Sequence, residues 1–558
     1  MEDRAMWLLF TSALFPAGIL QFFYNQNSIY VNHKFVLLSS LISVAFSLVV
    51  FLVVTFLFRN AFVASIFTSL FWISVFLESM SHKIMLALFN RVIFYYLFWI
   101  ILCGLLVFVL RKIMVKSKIS LLYCTFVSVF ITLSFFNSAR IILFSLNVSK
   151  PEYKTDFFIQ QSVDRPNIYW IHCDGMLSFD AVEEYFGESQ IEFKQSLVDR
   201  GFTINESAKF QACNKTSVAV PALMCPFFYD TYLGDILSNQ KSCEKAKSQS
   251  VQAILKEARL YNETFGAFTA AGYNTHSVAL LDQYFFPTTD TFYYPYEDKG
   301  IGDFVVGLQY QYPFQLGKMD KLSTEEAMNC IQISETQNFM YTFFRPSIYL
   351  FSLQRSSSVT GYTGFNLFNS QSSESDIVAP LISQEETDAF FLGADASITH
   401  RYFANALEDI LINTDESEPR FTLLLNVMFH GPYIYDEFGN LLNHIDYNDP
   451  LNYLSQHKYA TKVLVNCIDR ILINDPNAIV ILQSDHGMNM VSDQDIIDAF
   501  GDDPHVISDL RSSTMSAIFI PQQYVNGEEV YAAENPLNIS RYLVNRFVGQ
   551  NYEYISNT

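Results

Sequence analysis

The chain has 558 residues, of which 50% are hydrophobic, 16% aromatic and only 16% charged, with a formal net charge of −21. That length allows several domains, and so little charge among so many apolar residues excludes a wholly soluble protein of ordinary composition. The acidic balance excludes nucleic acid as the main partner, because phosphate backbones are met by basic faces.

The charge is divided along the chain. Residues 1–150 have eleven Lys or Arg against three Asp or Glu, a surplus of eight, which leaves −29 on the remainder. Five apolar segments, each close to the roughly 20 residues that cross a bilayer, are expected near Met6–Tyr24, Phe35–Phe58, Ala61–Phe76, Val92–Leu110 and Ile119–Phe136. No small-residue cleavage site follows the first, so it reads as an anchor and not as a removed signal. Arg111, Lys112, Lys116 and Lys118 mark the loop between the fourth and fifth segments as cytoplasmic. Arg59 agrees, while Lys83 and Arg91 point the other way. The N-terminus is then inside and everything after Asn147 lies outside the cytoplasm. The expected division is a helical membrane domain over 1–146, a linker over 147–165 and an extracytoplasmic domain over 166–558, with an insertion at 284–388. The membrane block is read as an anchor that also guides a lipid substrate.

The outer part alternates strands with helices, the pattern of an α/β domain with a mostly parallel sheet. Asn167–His172 reads as a strand ending in Cys173, Asp174 and Gly175. Asp180–Asp199 has helical spacing, and Gly201–Ile204 opens another strand. Thr216 and Ser217 lie at a strand-to-helix turn, where free N–H groups and the helix dipole favour a phosphate. A helix over Ser248–Gly272 leads into a strand at Tyr273. After the Ser-rich stretch come a helix at Ile398–Leu411 and a buried strand at Phe421–Phe429 that ends in His430 and Gly431. Helix Tyr453–Ile473 delivers the chain to Ala478–Met488, AIVILQSDHGM, an apolar strand closed by Asp485, His486 and Gly487. Thr514–Ile520 is a late strand and Pro536–Phe547 a closing helix.

Asp174, Thr216, His430 and the Asp485–His486 pair all fall at strand ends. The ends of one parallel sheet share an edge, which is where open α/β sheets bind ligands. Carboxylates, a hydroxyl and an imidazole suit Zn²⁺ or Mn²⁺, and a metal-bound threonine hydroxyl is acidified into a usable nucleophile. Of the six outer cysteines, Cys213 and Cys225 flank the Thr216 turn and could staple it. Cys243 with Cys330 is a looser pairing, and Cys173 and Cys467 sit in core elements as free thiols.

NIYWIHCDGM, CNKTSVAVPALMC, FHGPYIYDEFGN and QSDHGM, in that order, resemble the alkaline phosphatase and sulfatase superfamily. The likeness is to its membrane-anchored branch of lipoteichoic acid synthases and lipid A phosphoethanolamine transferases. The resemblance implies an alkaline-phosphatase-like fold, with Asp174, Thr216, Asp485 and His486 as metal ligands and Thr216 as nucleophile. It assigns His430 to a substrate phosphate or second metal, makes His505 a further candidate of that kind, and makes Lys215 and Tyr459 wall residues. It implies a phospholipid donor, a glycan or lipid acceptor at the cell surface, and a bacterial inner membrane with the catalytic domain in the periplasm. Thr216 is followed by Ser217-Val218-Ala219-Val220, without the Pro and Arg that formylglycine-dependent sulfatases need, so that chemistry is not expected. A phosphoester hydrolase and a non-catalytic protein of the same fold are the alternatives.

Overall fold

A computed structural model describes residues 2–27, 33–80, 123–136, 139, 152, 154–160, 164–210, 216–237, 262–278, 289–294, 317–320, 406–412, 418–431, 433, 435–440, 442, 449–489 and 491–556. Two compact units are present, one within Met1–Ser149 and one within Lys150–Cys330 and Ser375–Thr558.

The first unit contains helices α1 (Glu2–Asn27), α2 (His33–Phe58), α3 (Ala61–Met80) and α4 (Tyr123–Phe136). One of them, over Val36–Phe58, is long and apolar enough to cross a membrane; Ala5–Gln21, Ala61–Ile73 and Tyr123–Phe136 are shorter apolar helices. The span expected at Val92–Leu110 lies outside the described residues. The unit's interior mixes apolar side chains such as Leu8, Phe51 and Val54 with hydroxyls, and its surface is largely apolar. Large apolar side chains such as Leu41, Phe56 and Phe126 face outward, while Ser12, Ser47, Ser65 and Thr68 are buried. These hydroxyls join helices: Ser12 donates to Ser65 (2.6 Å), Trp72 Nε1 to Ser47 (2.7 Å) and Gln21 to Ser40 (3.2 Å), and Tyr123 meets Ser69. Buried hydroxyls under an apolar exterior are how helices pack in lipid, where apolar burial supplies no drive and small polar residues bring backbones together.

The second unit is built on one eight-stranded sheet in the order β2-β8-β7-β1-β6-β3-β4-β5. Its strands are β1 (Ile168–Cys173), β2 (Thr203–Ile204), β3 (Asn274–Val278), β4 (Thr291–Tyr294), β5 (Gly317–Asp320), β6 (Arg420–Asn426), β7 (Ile479–Gln483) and β8 (Ser516–Phe519). The central five, β7-β1-β6-β3-β4, are parallel; β8, β2 and β5 add antiparallel edges. Both faces of the centre are covered. Ile168, Trp170 and Ile481 pack with Val218 and Phe547 on one face, and Tyr169, Ile171 and Val480 with Leu464 and Ile468 on the other. This double covering explains why the central strands are continuous apolar runs.

Three expectations change. The helical stretch Asp180–Asp199 is two helices, α5 (Phe179–Phe186) and α6 (Ile191–Asp199), because Gly187 turns left-handed (φ 67°) and caps the first. The stretch 284–388, expected as an insertion, contributes β4 and β5 to the sheet. Cys225 is a free, buried thiol, so the Cys213–Cys225 staple is not formed; Cys213 itself, like Cys243 and Cys330, lies outside the described residues. Cys173 and Cys467 are free and buried, as expected.

Candidate metal centre

The site forms where β1 and β7 end side by side. Their register pairs His172 with Gln483, which puts Asp174 and Asp485 level with each other, two residues beyond that pair at the ends of adjacent strands. Asp174 is held in the turn by its own N–H, which donates to the Asn426 carbonyl of β6 (3.0 Å). Gly175 follows with φ 82°, a conformation that strains any residue with a β-carbon, and a β-carbon there would stand 3.1 Å from the Phe429 oxygen. After β7, Ser484 donates to the Met176 carbonyl (2.6 Å) and accepts from the Met515 N–H (2.7 Å), tying together the ends of β1, β7 and β8. Gly487 is then pressed against the end of helix α11 (Pro504–Ser512), its N–H donating to the Arg511 carbonyl (3.0 Å).

Asp174, Asp485 and His486 are buried, and their ligand atoms all lie within 4.8 Å of one another. His486 Nε2 is 3.4 Å from Asp174 Oδ1 and 3.4 Å from Asp485 Oδ2. Thr216, the first residue of helix α7 (Thr216–Met224), brings its Oγ1 to 3.3 Å from the same nitrogen. His486 Nδ1 lies 2.9 Å from the Gly487 carbonyl. A carbonyl only accepts, so Nδ1 carries a proton, and Nε2 is the ring atom turned toward the two carboxylates and Thr216.

That arrangement is short of positive charge. Burial, then the charge of Asp485, push the Asp174 carboxyl above the ordinary range. Burial works against ionisation of Asp485 too, but His486 and His172 outweigh it and hold that carboxyl below the ordinary range. Burial favours neutral His486, and Asp485 and Asp174 overcome it and raise its affinity for a proton. Among the described residues, nothing hydrogen-bonds Asp174 Oδ1 or either oxygen of Asp485, and neither carboxylate is paired with Lys or Arg. Buried carboxylate oxygens without partners are costly. Two carboxylates, a hydroxyl and an imidazole converging on one point make a donor set that fits a divalent cation such as Zn²⁺ or Mn²⁺.

His430 stands at the rim of the cluster, partly exposed, with its ring centre 6.2 Å from that of His486 and its Nδ1 2.7 Å from the Gly431 carbonyl. The other expected residues are not brought to the centre. Tyr459 packs on Tyr435, ring centres 5.2 Å apart. His505 is exposed on the first turn of α11, and no described contact joins its side chain to the cluster. Lys215 lies outside the described residues. The structure adds His172, whose Nε2 is 3.6 Å from Asp485 Oδ1. The sequence signal for it was an imidazole interrupting the apolar run Ile168–Cys173.

No protein-family model matches the chain, and no curated protein sequence matches it. Among solved structures, the full-length integral membrane lipooligosaccharide phosphoethanolamine transferase A of Neisseria meningitidis is similar at 11% identity and a TM-score of 0.37, covering 98% of this chain and 95% of that one. The C-terminal periplasmic domain of EptC from Escherichia coli is similar at 9% identity and a TM-score of 0.36, covering 72% and 87%. The lipoteichoic acid synthase LtaP of Listeria monocytogenes is similar at 10% identity and a TM-score of 0.32, covering 71% and 76%.

Proposed function

We propose that this chain is a divalent-metal-dependent phosphotransferase of a bacterial inner membrane, with its catalytic domain in the periplasm and five spans in the membrane. It moves a phospholipid head group, phosphoethanolamine or phosphoglycerol, onto a hydroxyl of a surface glycan or lipid. The observation that carries the reading is Thr216 Oγ1 at 3.3 Å from His486 Nε2, beside two carboxylates that need a cation.

Asp174, Asp485, His486 and Thr216 would hold the cation, which when bound supplies positive charge that lowers the pKa of a coordinated hydroxyl. Thr216 Oγ attacks the phosphorus of the lipid head group. The new O–P bond forms as the bond to the diacylglycerol oxygen breaks, and that oxygen takes up the proton that Thr216 Oγ gives up. The position of Thr216 at the start of α7 adds helix N–H groups to the side that faces the phosphate. His430, at the rim, offers its ring Nε2 to a phosphoryl oxygen. An acceptor hydroxyl then attacks the phosphorus of phospho-Thr216, its O–P bond forming as the Oγ–P bond breaks, and its proton returns to Thr216 Oγ.

The test uses the purified full chain with a chromogenic phosphodiester and with phospholipid vesicles, with and without an acceptor glycan. Head-group transfer to the acceptor that disappears in Thr216→Ala supports the reading. Release of free phosphoester to water, equal with and without acceptor, supports a hydrolase in its place. Purified protein without a bound divalent metal supports a non-catalytic member of the same fold.

A further inference from the structure

Asp485 is 0% exposed and has an imidazole at each oxygen: His486 Nε2 lies 3.4 Å from Oδ2, and His172 Nε2 lies 3.6 Å from Oδ1. The two rings have different standing. His486 also reaches Asp174 and Thr216 and so belongs to the cluster. His172 projects from the interior of the sheet, on the strand between β6 and β7. It is 2% exposed and shares its face of β1 with Trp170, at the level of Leu425 on one neighbour and Gln483 on the other. An apolar side chain would fill that place with less desolvation cost than an imidazole. A buried ring directed at one oxygen of a carboxylate needs an account other than packing.

We propose that His172 is a positioning residue: its ring, standing behind Asp485 at 3.6 Å from Oδ1, attracts that oxygen and so keeps Oδ2 turned toward Asp174 and His486, where a divalent cation is held. The inference rests on the metal-centre reading above. Carboxylate ligands are commonly oriented by a hydrogen-bonding group behind them, and loss of that group weakens metal binding by about 10–100-fold. His172 is suited to the task because its strand is fixed on both sides. Asp485, by contrast, sits two residues past the end of β7, where backbone pairing no longer sets its rotamer.

The experiment is Zn²⁺ binding to the full chain in detergent, measured by competition with a chromophoric chelator, alongside thermal unfolding in EDTA. The proteins are wild type, His172→Leu, His172→Gln and His172→Asn. The glutamine amide nitrogen can occupy the place of Nε2, whereas the shorter asparagine reaches only the place of Nδ1. Leucine and asparagine are expected to weaken Zn²⁺ binding by about 10–100-fold, while glutamine restores most of the loss. Unfolding in EDTA should not follow that order. If leucine binds Zn²⁺ like wild type, or glutamine and asparagine lose affinity equally, the positioning role is overturned. If leucine fails to fold, the glutamine–asparagine comparison decides by itself. A wild-type chain that binds no Zn²⁺ removes the metal centre, a failure distinct from that of His172.

Discussion

A β-carbon on Gly487 would stand 2.2 Å from the Leu510 carbonyl oxygen and 2.8 Å from that of Ser513. Both are backbone atoms and cannot swing away. Gly487→Ala is therefore expected to cost about 1–3 kcal/mol or more and to displace His486, read as a lower unfolding midpoint together with weaker Zn²⁺ binding. His457 gives a second prediction. It is buried against Phe429 and Tyr453, and burial lowers its pKa from 6.5 to about 3. The unfolded chain then binds a proton below pH 6.5 that the folded chain refuses until near pH 3. Stability is present above 6.5 and is lost on acidification, by about 1.4 kcal/mol per pH unit in that window. His457→Leu should flatten this part of the urea-midpoint-against-pH curve; an unchanged slope would show that His457 is not the group responsible. At this scale the sequence exposed what ends a strand and hid what lies within one. Asp174, Asp485 and His486 stand out because an apolar run stops at them. His172 lies inside a run, where only the pairing with β7 shows which neighbour it meets.

Ser484 shows what strands and helices contribute as units. Its hydroxyl links the Met176 carbonyl after β1 to the Met515 N–H before β8. The Met515 N–H also donates to the Met176 carbonyl (3.0 Å), so Ser484→Ala removes one link without orphaning either group and should cost about 0.5–1.5 kcal/mol, measured by denaturant unfolding. It should also loosen metal binding, because the ends of β1 and β7 carry the two aspartates. The elements themselves were largely readable. Apolar runs of four to seven residues mark β1, β6 and β7, and the helix expected at Tyr453–Ile473 is helix α9 (Pro450–Asn474). The break between α5 and α6 was missed because the apolar spacing continues across Gly187, whose left-handed turn ends the first helix. β4 and β5 are not legible because TFYY and GKMD are four-residue strands, the second at the sheet edge, too short for an alternating pattern to register. The Thr216 turn was read correctly as a helix start, but a disulfide was expected where Cys225 instead receives the Glu263 N–H (3.5 Å) in an apolar cluster.

Across the whole molecule, the two units differ at their surfaces: the first turns large apolar side chains outward over an interior of mixed apolar and hydroxyl groups, and the second encloses an apolar sheet core. Removing the metal should affect the second alone. Chelation is expected to lower its unfolding temperature, and added Zn²⁺ or Mn²⁺ to restore it by mass action, as followed by calorimetry in detergent. The central claim is that Thr216 carries the head group between donor and acceptor. It is tested most directly by mass spectrometry of the Thr216 peptide after the full chain meets phospholipid vesicles without acceptor. The account predicts a phosphoethanolamine or phosphoglycerol adduct on Thr216 that disappears when acceptor is added. An unmodified Thr216 in protein that still transfers head groups, or undiminished transfer by Thr216→Ala, would contradict it.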